Sequence, residues 1–332
     1  MRRTFIIAEA GVNHNGDMRL ARRLVTAASR AGADAVKFQT FRAEQLVSVF
    51  APKADYQRRT TDARESQFAM IKQLELGWND HRRLLQYAVS RGIRFLSTPF
   101  DEESADLLER LGVSLFKIPS GEITNHPFLR HVARKRKPMI VSTGMSSLAE
   151  VGAAVNVIRS AGNRRITLLQ CVTAYPAPMR DVNLRAMETM RRAFGLDVGY
   201  SDHTTGIEAP IAAVALGASV IEKHFTIDRA LPGPDHKASL EPAELAAMVS
   251  AIRNVELALG DGVKRMMPCE RRNARVARKS LVAAVPIARG EPFTRHNVAR
   301  KRPGTGISPA RLGSVIGRRA RRSFRKDELI VL

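Results

Sequence analysis

About eight times along this chain a short β-branched run ends in a polar or ionisable residue, and an amphipathic helical stretch follows. The runs read FIIAEAG with Glu9, AVKFQT with Lys37 and Gln39, RFLSTPF with Ser97 and Thr98, and LFKIPSGE with Lys117, Ser120 and Glu122. They continue as MIVSTGM with Ser142 and Thr143, LLQCVTAYP with Tyr175, VGYSDH with Ser201, Asp202 and His203, and VIEKHF with Glu222, Lys223 and His224. Buried strands tolerate lysines and carboxylates only where those groups meet each other or a ligand. Barrel enzymes place their chemistry at the carboxyl ends of parallel strands. The repeat therefore predicts an α/β fold, a (β/α)8 TIM barrel over residues 1–262, with its active site at one mouth.

The helical stretches fall at 17–33, 81–91, 102–111, 127–136, 147–161, 183–194, 207–218 and 242–259, with apolar residues recurring at three and four, as in LARRLVTAASRAGA. Several end in glycine, the usual helix stop. No GxGxxG follows the first strand, which argues against an open dinucleotide-binding sheet. One connection is long: residues 42–79 separate the second strand from its helix, and the alternative to a functional loop there is a surface insertion with its own short helix around 66–74. A loop of that length in a compact domain is usually functional, and this one lies at the active-site end, so it reads as a lid or substrate loop.

Beyond residue 262 the pattern changes. Residues 263–277 are polar and basic and read as a linker. Residues 278–332 alternate short β runs with Gly/Pro turns and read as a small β-rich domain, marginal alone and expected to dock onto a barrel, its own or a partner's. The chain carries a net charge of +22, and from Lys264 onward there are 19 Lys or Arg against 4 Asp or Glu. That tail could track phosphates, but Phe293 and Phe324 are its only aromatics, so stacking platforms are missing and no nucleic-acid partner is expected. No apolar run is long enough for a membrane span. Two cysteines, Cys171 and Cys269, make no disulfide framework. A cytoplasmic location is expected.

His203 and His224 end neighbouring strands. Two imidazoles so placed can share a divalent cation such as Mn²⁺, or can serve separately as hydrogen-bonder and general acid. Lys37 and Lys117, with the hydroxyls of Ser120, Ser142, Thr143 and Ser201, suit an anionic ligand carrying phosphate and carboxylate. A Schiff base on one lysine is the alternative. Glu9 and Glu122 are acid/base candidates. Asp235, after the last strand, could bind sugar hydroxyls, and His14 and His236 lie on loops at the same end.

Eleven short segments carry a resemblance. AEAGVNHNGD, AVKFQTF, APKADYQ, FLSTPFDEES, FKIPSGEITN, STGM, GYSDHTTGIE, EKHFT, GPDHKAS and the tail's ARKSLVAA with KRPGTGISP occur in the order found in the sialic acid (nonulosonate) synthases, which the chain resembles over essentially its full length. The resemblance implies a barrel joined to a C-terminal antifreeze-like (SAF) domain, in a homodimer whose swapped small domain covers the partner's active site. It implies condensation of phosphoenolpyruvate with an open-chain N-acylated hexosamine. In that reaction water attacks C2 and phosphate leaves by C–O cleavage. By motif, Lys37, Lys117, Ser120, Ser142 and Ser201 would hold phosphoenolpyruvate. His203 and His224 would bind Mn²⁺ or Mg²⁺. Glu9, Glu122, Gln39, Tyr175 and Asp235 would face the sugar or the attacking water, and Arg302 would reach the N-acyl group from the partner.

The leading expectation is N-acetylneuraminate synthesis from N-acetylmannosamine. The alternatives are a legionaminate- or pseudaminate-type synthase using a 2,4-diacetamido-2,4,6-trideoxy hexose and, more remotely, a non-catalytic polyanion-binding barrel. Gln170 and Val172 depart from the family pattern, and they predict an altered pocket wall near Tyr175.

Overall fold

The computed structural model describes residues 3–62 and 64–332. Met1 and Arg2 of the basic N-terminal run, and Ala63 in the long connection, lie outside the described residues. The chain divides into two compact units, Met1–Asp261 and Gly262–Leu332.

Among the described residues of the first unit, parallel strands β1 (Phe5–Gly11), β2 (Ala35–Thr40), β3 (Arg94–Pro99), β4 (Phe116–Ile118), β5 (Met139–Ser142), β6 (Ile166–Cys171), β7 (Asp197–Asp202) and β8 (Val220–His224) form one sheet in the order β3-β2-β1-β8-β7-β6-β5-β4. The end strands β3 and β4 lie against one another, which rolls the sheet into a near-barrel. Helices α1 (Met18–Arg30), α5 (Trp78–Ser90), α6 (Glu102–Arg110), α7 (His126–Arg134), α8 (Leu148–Ser160), α9 (Ala186–Phe194), α10 (Glu208–Ala215) and α11 (Pro242–Leu259) follow the strands. Each matches a predicted stretch to within a few residues. Local chemistry sets several ends. Ser147 and Glu150 form a capping box on α8. Gly112, at φ +79°, supplies the left-handed turn after α6.

The long connection holds three short helices, α2 (Ala43–Leu46), α3 (Asp55–Thr60) and α4 (Gln67–Gln73). α4 coincides with the short helix of the surface-insertion alternative, and it opens on Ser66, whose side chain accepts from Ala69 N. Inside this segment Lys53 is buried. Its ammonium donates to Thr61 Oγ1 at 3.0 Å, Asp62 O at 2.8 Å and Glu65 Oε2 at 3.2 Å. Lys53 thus ties the segment to itself.

Strand geometry alternates side chains between the two faces of a sheet. One face packs on the helices and is apolar: Ile6, Val36, Phe38, Phe116, Val141 and Ile221 belong to that layer. The other face looks into the barrel. Its first layer is an apolar plug of Ile7, Ala35, Leu96, Leu115, Ile140, Leu169 and Val220. Gly199 of β7 completes it, because a Cβ there would run into the Val220 carbonyl oxygen and the Leu169 side chain. Two residues further along the same strands, the same face becomes polar.

The second unit pairs β9 (Ser280–Ala283) antiparallel with β10 (Val298–Lys301) around a cluster that includes Leu281, Ile287, Phe293, Phe324 and Ile330. The stretch 263–277 is not a structureless linker: it contains a 3₁₀ turn, Pro268–Glu270, and a helix, α12 (Arg271–Ala277). No helix among the described residues is long and apolar enough to cross a membrane.

Candidate functional site

A cavity of about 510 Å³ opens at the carboxyl ends of the strands. Its floor is the polar layer directly above the plug: Glu9, Lys37, Thr98, Lys117, Ser142, Cys171, Ser201 and Glu222, each two residues beyond a plug position and each lining the cavity. At the centre are four buried charges. Lys37 Nζ lies 2.7 Å from Glu9 Oε2 and 3.5 Å from Glu222 Oε2, and Lys117 Nζ lies 3.3 Å from Glu222 Oε1. Lys37 also donates to Thr98 Oγ1 at 2.7 Å, and Ser201 Oγ donates to Glu222 Oε1 at 3.0 Å.

These groups set one another's protonation. Burial pushes Glu9 up to about 7, and the Glu222 charge adds to this while Lys37 opposes it. Glu222, flanked by both ammoniums, is held down at about 2 despite burial. Lys37 is also buried, yet Glu222 and Glu9 keep it above the usual lysine range. Lys117 is lowered, because burial and the Lys37 charge outweigh Glu222. A floor with two cations and only one firmly ionised carboxylate favours an incoming polyanion. The buried hydroxyl of Ser142, which has no hydrogen-bond partner among the described residues, adds a free donor.

Glu9 carries a pH signature. The folded protein holds its proton up to about pH 7, whereas the ordinary value is 4.5, so the folded state binds more protons between those values. The stabilisation from this site is full below 4.5 and is lost as pH rises through 7. In denaturant unfolding, wild-type stability relative to Glu9→Gln is expected to fall by up to ~3 kcal/mol from pH 4.5 to 7. A constant difference between the two proteins over that window would exclude a raised Glu9. Glu222 acts on the other side, its contribution being lost only as pH falls from 4.5 through about 2.

One layer higher stand Gln39, His203 and His224. Gln39 Nε2 approaches Glu9 Oε1 at 3.5 Å. The two imidazole centroids are 5.4 Å apart, close enough for one ion to reach a nitrogen of each. His203 Nδ1 donates to Val172 O at 2.6 Å, which leaves Nε2 as the lone-pair nitrogen, and Cys171 Sγ lies 3.8 Å from the same Nδ1. Burial, His203 and Lys37 lower His224 far enough to keep it neutral, and its Nδ1 is buried with no hydrogen-bond partner among the described residues. A neutral, unpartnered imidazole beside a second one of fixed tautomer fits a divalent cation. No group of three or more His, Cys, Asp or Glu among the described residues is arranged to hold a metal, so water and substrate would complete the shell.

Tyr175 stacks between His203 (4.1 Å) and Tyr56 of α3 (4.9 Å), joining the long connection to the histidine pair. Asp235 lines the same cavity, and burial raises it to about 6.

Not every predicted residue arrives. Glu122 is outside the cavity lining, and its carboxylate accepts from Asn125 Nδ2 at 2.7 Å. Thr143 has the opposite parity to Ser142 and donates to Leu169 O at 2.9 Å. Gln170 likewise faces away from the cavity, donating to Val182 O at 3.1 Å, and Val172 contributes its carbonyl to His203, so neither reshapes the pocket wall. His14 and His236 are also outside the lining. His14 Nδ1 accepts from Gly16 N, and His236 bonds Thr226 and Asn15. Lys223, outward on β8, is clamped by Asp202 and Thr204 O at 2.5 Å each. Ser120 does line the cavity, its Oγ accepting from Gly144 N at 2.9 Å. Arg302 lies exposed in the second unit.

Glu222 is a floor residue that the sequence places at a strand end but to which sequence reasoning gave no role. Its signal was present in EKH, where Glu222 shares a strand face with His224. Cys171, Tyr56 and Gln57 also line the cavity unannounced.

Comparison with known proteins accords with this geometry. Residues 24–264 match the NeuB family and residues 278–332 match the SAF domain. The N,N'-diacetyllegionaminic acid synthase of Campylobacter jejuni subsp. jejuni serotype O:2 is 52% identical over 332 residues, covering 99% of each chain. The enzyme of the same name from Legionella pneumophila subsp. pneumophila is 49% identical over 319 residues, covering 95% of this chain and 90% of its own. Among solved structures, the N-acetylneuraminic acid (sialic acid) synthetase from Leptospira borgpetersenii serovar Hardjo-bovis superposes with a TM-score of 0.72 at 36% identity, covering 82% of this chain and 90% of its own.

Proposed function

This chain belongs to the NeuB family, and on that premise we propose that it is a phosphoenolpyruvate-dependent transferase making N,N'-diacetyllegionaminate from 2,4-diacetamido-2,4,6-trideoxymannose. The observation that carries the reading is the full-length identity of 52% and 49% to two diacetyllegionaminic acid synthases. The expected sialic acid reaction with N-acetylmannosamine fits less well, because the solved sialic acid synthetase shares 36%.

The floor supplies what phosphoenolpyruvate needs. Lys37, Lys117 and the hydroxyls of Ser120, Ser142 and Ser201 take its phosphate and carboxylate through charge-assisted hydrogen bonds. Arriving substrate oxygens share these cations with Glu9 and Glu222 and hold C3 toward the aldehyde. His203 and His224 hold the divalent ion, which supplies Lewis-acid polarisation when bound. Glu9, half-protonated near pH 7, is the acid/base group at the reacting centre. Gln39, Tyr175 and Asp235 orient the sugar or the attacking water. The C–C bond forms between C3 and the aldehyde carbon. Water then adds to C2, and phosphate departs with its bridging oxygen.

Release of phosphate from phosphoenolpyruvate, with Mn²⁺ and either sugar, tests the reading. Turnover with the diacetamido sugar in preference to N-acetylmannosamine supports it, and the reverse preference restores the sialic acid assignment.

The protein works as a homodimer in which the partner's second unit caps the cavity. Exposed apolar side chains on the loops at the barrel mouth support this: Phe50 is 92% exposed, Met145 70% and Met179 54%. Arg302→Ala is expected to raise the sugar KM roughly tenfold or more without dissociating the dimer in sedimentation velocity. A monomeric wild-type protein, or an unchanged KM, would remove the cap.

A further inference from the structure

The cavity has walls of unlike chemistry. Phosphoenolpyruvate takes the charged floor and the aldehyde end of the sugar takes the histidine pair. The lining that remains for the rest of the sugar comes largely from the long connection after β2. There Leu46 at the end of α2 and Met70 and Ile71 of α4 face the cavity. Val12, Phe41 and Leu74, which also reach the cavity, form a buried apolar cluster against which Leu46 and Ile71 pack. Two amides break this surface. Gln57 Oε1 accepts from Ala54 N at 3.0 Å and from Gln67 Nε2 at 3.4 Å. The Gln67 carbonyl oxygen is left with no partner among the described hydrogen bonds, and both amides line the cavity. The wall is held in place from within by Lys53, and Thr60 Oγ1, 3.0 Å from Tyr56 O in its own helix, also approaches Pro234 O across the mouth at 3.4 Å.

We propose that this wall, Leu46, Met70 and Ile71 with Gln57 and Gln67, is the specificity-determining subsite for the end of the sugar remote from the aldehyde. It accepts a second acetamido group and a methyl-ended carbon, and it disfavours a hydroxymethyl. This rests on the condensation reading above. A hydroxymethyl set against Met70 and Ile71 gives up water without gaining a partner. A methyl in the same place gains by being buried. An acetamido group needs both surfaces at once: its methyl meets the apolar side chains and its N–H meets the Gln67 carbonyl.

The test is the ratio of kcat/KM for the diacetamido-trideoxy sugar to that for N-acetylmannosamine, measured by phosphate release on the full chain. Wild type is compared with Ile71→Asn, Ile71→Leu and Gln67→Ala, and thermal unfolding reports folding in each. Expected is a fall in the ratio on the order of 10-fold to 100-fold in Ile71→Asn, carried mainly in KM. Ile71→Leu should retain the wild-type ratio. Gln67→Ala, which removes no core contact, reads the same ratio if Ile71→Asn fails to fold. A wild type that prefers the diacetamido sugar, with variants that lose both sugars by one factor, overturns the wall and leaves the reaction standing. A wild type that prefers N-acetylmannosamine overturns both.

Discussion

Replacing His203 by alanine is expected to cut metal-dependent phosphate release on the order of a thousandfold while leaving the fold intact. The imidazole is fixed by the Val172 carbonyl and faces His224 across 5.4 Å between ring centroids. Removing it leaves a lone neutral His224 in a site with no third protein ligand among the described residues. The loss should appear in metal binding itself, measured calorimetrically with Mn²⁺ alone, as well as in turnover. His203 also sits on Tyr175, so thermal unfolding must accompany the assay to separate a packing defect from a lost ligand. Undiminished turnover by chelator-treated wild type would sink the metal role.

Glu222→Ala is expected to have the second large effect, on stability and chemistry together. Lys37 and Lys117 are 4% and 3% exposed, and Glu222 lies within 3.5 Å of both. Without it two buried ammoniums are left with Glu9 as the one remaining carboxylate of the floor. Breaking a buried ion pair by deleting one partner typically costs about 3–5 kcal/mol, and denaturant midpoints should show a loss of that order. Inorganic phosphate or phosphoenolpyruvate binds only the folded state and replaces the missing negative charge, so either should raise the variant's midpoint more than the wild type's. Turnover should fall on the order of a hundredfold, because the lysine pair is no longer held in register. A variant as stable as wild type without any anion would show that the floor is hydrated rather than ion-paired.

Much of the architecture is legible because its signals are local. Ser147 and Glu150 mark where α8 begins, Gly112 marks where α6 stops, and the alternation of apolar strands with amphipathic helices runs through to α11. Nine of the polar strand-end residues, from Glu9 to Ser201, do meet in one cavity with His203 and His224. Parity could not be read where a strand end carries two polar residues in succession. Thr143 follows Ser142, and Lys223 lies between Glu222 and His224. Adjacent residues point to opposite faces, so composition alone ranks them equally. Glu122 is outside the cavity lining for a related reason: it lies past the end of β4 in a 3₁₀ turn, Ser120–Glu122, where strand parity no longer applies. The short helices α2 and α3 were invisible because four- and six-residue helices carry too little periodicity, and their stability comes from packing against the barrel mouth.

The sequence by itself determined the barrel and put a histidine pair and two lysines forward at its strand ends, because strand period, helix period and capping are all written within a dozen residues. Only the tertiary structure decided which member of each polar pair enters the cavity, that Glu222 and not Glu122 completes the charged floor, and that the long connection lays an apolar wall beside it. Those outcomes depend on register between strands distant in sequence and on how the sheet rolls up. Both are set by the apolar plug and the Gly199 contact beneath the site, and no local window of residues contains them.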